Sequence, residues 1–276
     1  MKIAVTGLGL IEDVDKENPI DCSELLGQER TVLRIEELAL YAASKAIKDA
    51  KLSIINNPVS VDLVLGVDEG IDDCKKHFFK GLIADGAQGV SPLLFPFTAP
   101  NAITARVSIV FSIRGENITF ADGCLSSGKA MAYAIDLLKL KKATTVITGG
   151  VTHNYAAVAV LEDFEIATKR NATVYGEIVG YGEASVGGHC PAITQALNET
   201  GLLPDDVGCL YLNGDAENIL SQSIPIKRIA SIGGVSSGKA VIDSLLTGER
   251  KVTVISVTDP SGYSLSMVIK PQELTQ

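Results

Sequence analysis

The chain reads as an α/β protein built from two similar halves, and three features of the sequence predict this. The pentapeptide Ser-Ser-Gly-Lys-Ala occurs at Ser126–Ala130 and again at Ser236–Ala240, each time opening a helix-like stretch that runs into an apolar strand. Strand and helix patterns alternate along the sequence, as they do when helices cross over a sheet. With no Trp and 5% aromatic residues, the core must come from Val, Ile, Leu and Ala, which suit buried strands covered by helices. At 276 residues the chain could form one domain or two, and the repeat favours halves 1–156 and 157–276 packed on a shared core.

The elements follow in order. Lys2–Thr6 is a strand whose Gly7-Leu8-Gly9 reads as a tight turn, followed by a polar, acidic stretch to about Arg30. Ile35, Leu38, Ala39, Ala42, Ala46 and Ile47 recur at helical spacing, giving a helix over Ile35–Lys51. Val61–Val67 is an apolar strand; 81–100, with Pro92, Pro96 and Pro100, is expected to be irregular; Asn101–Phe111 is helical. Ile118–Phe120 is a short strand, Leu125–Leu140 a helix with a broad apolar face, and Thr144–Thr148 a strand ending in Gly149-Gly150. The second half gives strand Ala157–Leu161, helix Glu162–Arg170, strand Val174–Gly180, helix Ile193–Thr200 closed by Gly201, and strand Cys209–Leu212. Helix Ser236–Thr247 and strands Val252–Val257 and Leu265–Ile269 complete it. The alternation predicts a largely parallel sheet in each half.

Composition excludes several functions. A formal charge of −9 with no Lys/Arg cluster argues against a nucleic-acid partner, which needs a basic face, and offers acidic carrier proteins little attraction. No apolar run approaches the ~18 residues of a membrane span, and the N-terminus does not read as a signal peptide, so a cytoplasmic protein is expected. Cys22, Cys74, Cys124, Cys190 and Cys209 show no Cys-x-x-Cys spacing, so neither a disulfide framework nor a zinc site is expected. No cofactor is indicated: Gly7-Leu8-Gly9 lacks the third glycine of a dinucleotide fingerprint, and Gly128-Lys129 and Gly238-Lys239 lack phosphate-loop spacing. Small residues at a close helix contact explain the latter pairs better.

A set of motifs then falls in a recognisable order. It runs from Val5-Thr6-Gly7-Leu8-Gly9 through Pro100-Asn101-Ala102, Ala121-Asp122-Gly123-Cys124-Leu125-Ser126-Ser127 and Thr148-Gly149-Gly150-Val151. It continues with Val160-Leu161-Glu162-Asp163, Glu177-Ile178-Val179-Gly180-Tyr181-Gly182 and Tyr211-Leu212-Asn213-Gly214. In this the chain resembles the β-ketoacyl synthases of fatty-acid and polyketide synthesis. The resemblance implies the thiolase fold, two α/β halves related by a pseudo-dyad, in a version shortened after the first strand and between Gly150 and Ala157, where the family covers its active site with a long segment.

In that family a Cys at a buried helix N-terminus accepts an acyl chain, its pKa lowered by the helix dipole and backbone N–H groups. Cys124 matches it. The family's two histidines, which stabilise the enolate formed by decarboxylation, match Asp215 and Gly234. Its lysine matches Ile229, and its Gly-Phe-Gly-Gly turn has become Asp259-Pro260-Ser261-Gly262. Four departures in one pocket oppose decarboxylative condensation. Of the three histidines, His153 is the candidate substitute; His77 and His189 read as surface or loop residues.

The resemblance therefore points to a non-catalytic, chain-length-factor-like subunit of a polyketide system, as in aryl polyene pathways, or of a fatty-acid system. Such a subunit pairs with an active ketosynthase, or with itself, through Ile118–Phe120, while acyl carrier protein docks on the active partner. Against this, chain length factors usually replace the cysteine that Cys124 retains. The alternatives are a Cys124-dependent acyltransferase or thioesterase acting on acyl carrier protein thioesters, and a homodimeric binding protein for fatty acyl chains.

Overall fold

A computed structural model describes residues 2–12, 23–26, 33–56, 60–214, 224–230, 232–247 and 251–272. In chain order the elements are β1 (Ile3–Ile11), α1 (Ser23–Leu26), α2 (Arg34–Asp49), β2 (Val61–Val67), α3 (Asp72–Asp85), α4 (Asn101–Phe111), β3 (Asn117–Phe120), α5 (Ser126–Lys139), β4 (Thr145–Val151) and β5 (Ala156–Asp163). Then follow α6 (Phe164–Lys169), β6 (Gly176–Ala184), α7 (His189–Thr200), β7 (Val207–Leu212), β8 (Ile226–Arg228), α8 (Ser236–Leu246), β9 (Val252–Thr258) and β10 (Ser264–Pro271).

The ten strands form one sheet in the order β3-β2-β4-β5-β1-β6-β10-β9-β7-β8. Read outward from the centre, β1-β5-β4-β2-β3 is repeated as β6-β10-β9-β7-β8, each strand answered by the one five places later. This is the two-fold internal repeat that the pentapeptide announced. In this order β5 stands with β1 to β4, and β10 with β6 to β9. The two sets meet at one short antiparallel ladder, Ile3↔Ile178 to Val5↔Gly176.

The sheet is mixed where a largely parallel one was expected. β2 runs parallel to β3 and β4, and β7 parallel to β8 and β9, but β5 and β10 are antiparallel to their neighbours. The cause is connection length: only 152–155 join β4 to β5 and only 259–263 join β9 to β10. Connections this short make hairpins, which force antiparallel pairing.

Helices cover both faces. α2 and α4 pack on one side of the first five strands through Leu38, Ala42, Val107, Leu65 and Ile147. On the other side α5 and α8 share a core with strands of both sets, joining Val64 and Val146 to Ile255 and Met267. α7 covers the outer face of the second set through Ile193, Ala196 and Leu197.

Glycines account for two of the boundaries. Gly7 and Gly9 do not end β1 in a turn but lie inside it, because a Cβ on Gly7 would stand 2.2 Å from the Ala46 carbonyl oxygen and one on Gly9 2.0 Å from that of Ala42. Bare backbone there lets α2 lie directly on the strand. Gly149 and Gly150 likewise belong to β4. α3 was not foreseen: it carries only Cys74 and Phe78 as buried residues, too narrow an apolar stripe to stand out. Helix α6 starts later than expected because Asp163 caps it, accepting hydrogen bonds from the N–H groups of Glu165 and Ile166 at 2.8 and 3.4 Å. Glu162 stays in β5, where it accepts from Thr6 Oγ1 at 2.6 Å and pairs with Arg170.

Candidate active site

Each copy of the repeated pentapeptide is preceded by a 3-10 turn, Gly123–Leu125 before α5 and Gly233–Val235 before α8. Both turns begin on a glycine with positive φ, 53° at Gly123 and 63° at Gly233, a conformation open to Gly and costly to other residues. The first serine of each repeat ties its turn down: Ser126 Oγ donates to the Gly123 carbonyl and Ser236 Oγ to that of Gly233, both at 2.8 Å. The second serine works at the helix crossing, where Ser127 Oγ accepts the Gly238 N–H at 3.2 Å. A Cβ on Gly128 would lie 2.8 Å from Ser237 Oγ, so the small residues do serve close helix contact.

A cleft of about 1100 Å³ opens where these turns meet. Its walls are loops following the C-terminal ends of β2, β4, β7 and β9, where α/β sheets hold their ligands. They contribute Asp68 and Glu69, Thr152 and His153, Asn213 and Gly214, and Thr258 and Asp259. The Gly123–Cys124 turn and the start of α7 complete it.

Cys124 is half-buried in this cleft, its thiol directed at the Thr258 carbonyl oxygen 3.8 Å away. The lowered pKa implied by the resemblance is not what its surroundings give. Burial pushes the thiol up, Asp259 adds to it, and Asp68 and Asp122 push the same way, outweighing a backbone hydrogen bond at the turn. Asp259 is held below the usual carboxylate range by Ser261, whose hydroxyl and N–H donate to it at 2.7 and 2.8 Å, and by the Tyr263 N–H at 3.0 Å. Asp68 is raised by burial and by the neighbouring Glu69.

Gly234 sits at the N-terminal turn of α8, buried. A Cβ there would stand 2.6 Å from the Cβ of Asp68 and 3.1 Å from that of Ser126, so a side chain there would force Asp68 to move. Asp215 lies outside the described residues. His153 lines the cleft from the β4–β5 hairpin, about half exposed, with Nδ1 3.7 Å from Glu69 Oε2. His77 is exposed on α3.

His189 corrects the sequence reading, which left it at the surface. It is 7% exposed, at the start of α7, and lines the cleft. Nε2 lies 2.9 Å from the Asn213 carbonyl oxygen, which can only accept, so Nε2 carries the proton. Nδ1 then accepts from Ser256 Oγ at 2.9 Å or Thr258 Oγ1 at 3.1 Å. Burial lowers its pKa, and with both nitrogens engaged the ring is neutral and fixed. Asn213 is fixed in turn, its side chain exchanging two 2.8 Å hydrogen bonds with the backbone of Thr258. Neither His189 nor Asp68 was singled out from sequence; the available signal was their place beside strand ends.

Among the described residues no three His, Cys, Asp or Glu side chains are placed to hold a metal ion, and none of their helices is long and apolar enough to cross a membrane.

Residues 6–172 match the family described as β-ketoacyl synthase, N-terminal domain. Among curated proteins the chain is 23% identical over 308 residues to 3-oxoacyl-[acyl-carrier-protein] synthase 2 of Staphylococcus aureus (strain N315), covering 93% of this chain and 70% of that protein. It is 26% identical over 261 residues to nodulation protein E of Rhizobium meliloti (strain 1021), covering 77% and 63%. Similar folds are found in a type II polyketide synthase acyl-carrier protein in complex with its ketosynthase, with TM-score 0.83 and 13% identity over 99% of both chains. The ishigamide ketosynthase/chain length factor follows with TM-score 0.78 and 14% identity over 99% of both chains. A β-ketoacyl synthase from Burkholderia phymatum STM815 gives TM-score 0.75 at 15% identity, covering 99% of this chain and 100% of that one. With the repeated strand order and a cysteine on the turn before the central helix, these matches make the chain a member of the β-ketoacyl synthase family, with the thiolase fold.

Proposed function

We propose that this protein is a non-catalytic, chain-length-factor-like subunit that pairs with an active β-ketoacyl synthase in polyketide or fatty-acid synthesis. The observation that carries the reading is the state of the cleft. Any side chain at the position of one family histidine would run into Asp68, and the cysteine's pKa is raised first by burial and then by the carboxylates around it. Neither remaining histidine of the cleft takes over: His189 has both nitrogens engaged, and His153 is on the rim beside Glu69. Decarboxylation leaves a carbanion, and carboxylates destabilise it.

Pairing is supported by β3, which lies at one edge of the sheet with its residues partly exposed. An edge strand offers unpaired backbone groups to another chain. Acyl carrier protein would then engage the active partner, since this chain's charge of −9 repels an acidic carrier.

Co-expression with candidate ketosynthases from the same genome, scored by co-purification, tests the proposal. A chain that stays unaccompanied and by itself condenses a malonyl thioester overturns it.

A second reading, a Cys124-dependent acyltransferase or thioesterase, is favoured by one observation: Cys124 is present, partly exposed, on the cleft wall. An acyl adduct formed from an acyl carrier protein thioester, and lost in Cys124→Ala, distinguishes it by mass spectrometry.

A further inference from the structure

We propose that the Cys124 cleft selects by charge, admitting uncharged and cationic groups and turning away carboxylates, with Asp68, Glu69 and Asp259 as the residues that set this selectivity. The inference rests on the second reading above, in which Cys124 meets an acyl group, and adds the class of group it takes: a plain acyl chain, not a malonyl one.

The three carboxyl groups come from two separate strand ends and line the same cleft as Cys124. Asp259 is anchored by the hydroxyl and N–H of Ser261 and the N–H of Tyr263, so its charge cannot swing away. Asp68 presses on the opposite turn, with Oδ2 3.2 Å from where a Cβ on Gly233 would be. Compensation is slight. No Lys or Arg lines the cleft among the described residues, and His153, 3.7 Å from Glu69, is the one basic side chain facing it besides the locked His189. Asp122, also near the thiol, is already paired with Lys129. Fixed charges of one sign on the walls of a cleft focus the field, and change the local concentration of a charged visitor by about 10-fold or more.

Cys124 makes the effect measurable without any acyl substrate. Aminoethyl methanethiosulfonate is cationic and sulfonatoethyl methanethiosulfonate anionic. With either, the cysteine thiolate attacks the reagent's sulfenyl sulfur, a disulfide forms, and methanesulfinate leaves. Rates at Cys124 are read by peptide mapping, with Cys124→Ser as the site control and glutathione as the free-thiol reference.

The cationic reagent should be favoured at Cys124 about 10-fold or more beyond its preference at glutathione. That excess should shrink in ~1 M salt, where the screening length falls to about 3 Å, and should shrink in Asp68→Asn combined with Asp259→Asn. A ratio equal to that of glutathione overturns the proposal. So does a ratio insensitive to salt, which needs no variant, or failure of both reagents to reach the thiol. The partner reading is judged separately by co-purification, so either can fail alone.

Discussion

The Cβ of Asp68 stands 2.6 Å from the point a Cβ on Gly234 would occupy, so side chains at both positions would crowd one another. Asp68 and Gly234 therefore share one packing space. Gly234→Ala should destabilise the protein by about 1–3 kcal/mol, the usual cost of overpacking a tight site. In an Asp68→Gly background the same substitution should cost much less. Thermal unfolding of the four proteins of this double-mutant cycle checks it, and strict additivity would refute the shared-space argument.

Cys124 should be a slow nucleophile at neutral pH. Its pKa is pushed up, so less thiolate is present at any given pH than for a free cysteine, and alkylation by uncharged iodoacetamide should lag behind that of glutathione until the medium is well above the usual thiol range. Asp259→Asn removes one of the carboxylates responsible and should shift the pH–rate profile toward lower pH. A profile centred below the free-thiol value would contradict the electrostatics described.

His189 should make the fold acid-sensitive. Its folded pKa is depressed, so on acidification the unfolded chain takes up a proton near the ordinary value of about 6.5 while the native ring resists. Stability from this group is thus complete above about pH 6.5 and declines as the pH drops toward the depressed value. Denaturant titrations at about pH 8 and pH 5 should show a larger loss in the native protein than in His189→Gln, which has nothing to protonate there. His189→Ala, which strands the Asn213 carbonyl and takes one of two partners from the Ser256 hydroxyl, should cost about 1–3 kcal/mol even at neutral pH.

The open edge of β3 should decide partner binding. Leu63 N–H donates to the Glu116 carbonyl, and strand alternation then turns the Thr119 N–H toward the free edge. Thr119→Pro removes that donor and should abolish co-purification with a ketosynthase while circular dichroism stays native-like. Retained pairing would move the interface elsewhere. The melting temperature of the variant reports the accompanying loss of the 2.6 Å Thr104–Thr119 hydroxyl pair.

Much of the fold is legible in the sequence because local pattern and tertiary role agree. Val61–Val67 and Asn101–Phe111 fall within the limits their apolar patterns set. What was missed depends on contacts distant in sequence. Gly7 and Gly9 look like a turn until α2 is laid against them. His189, following two glycines, looks like a loop residue, and its burial comes from Asn213, Ser256 and Thr258, 24 to 69 positions away. Cys124 is placed on its turn by motif alone, yet its pKa is raised first by burial and then by Asp259 and Asp68, which no local pattern ties to it. His153 does face the cleft, beside a glutamate that sequence spacing gave no reason to notice.

The layer formed by α5 and α8 has one more consequence. Met131, Ile135, Val241 and Leu245 fill a single core with strands of both sets, while in the sheet the sets are joined by the short Ile3–Val5 ladder. Neither duplicate could be excised as an independent folding unit: severed between β5 and β6, each fragment would present half of a dry interior to water and aggregate. With its interior shared in this way, the chain is expected to melt as one cooperative unit.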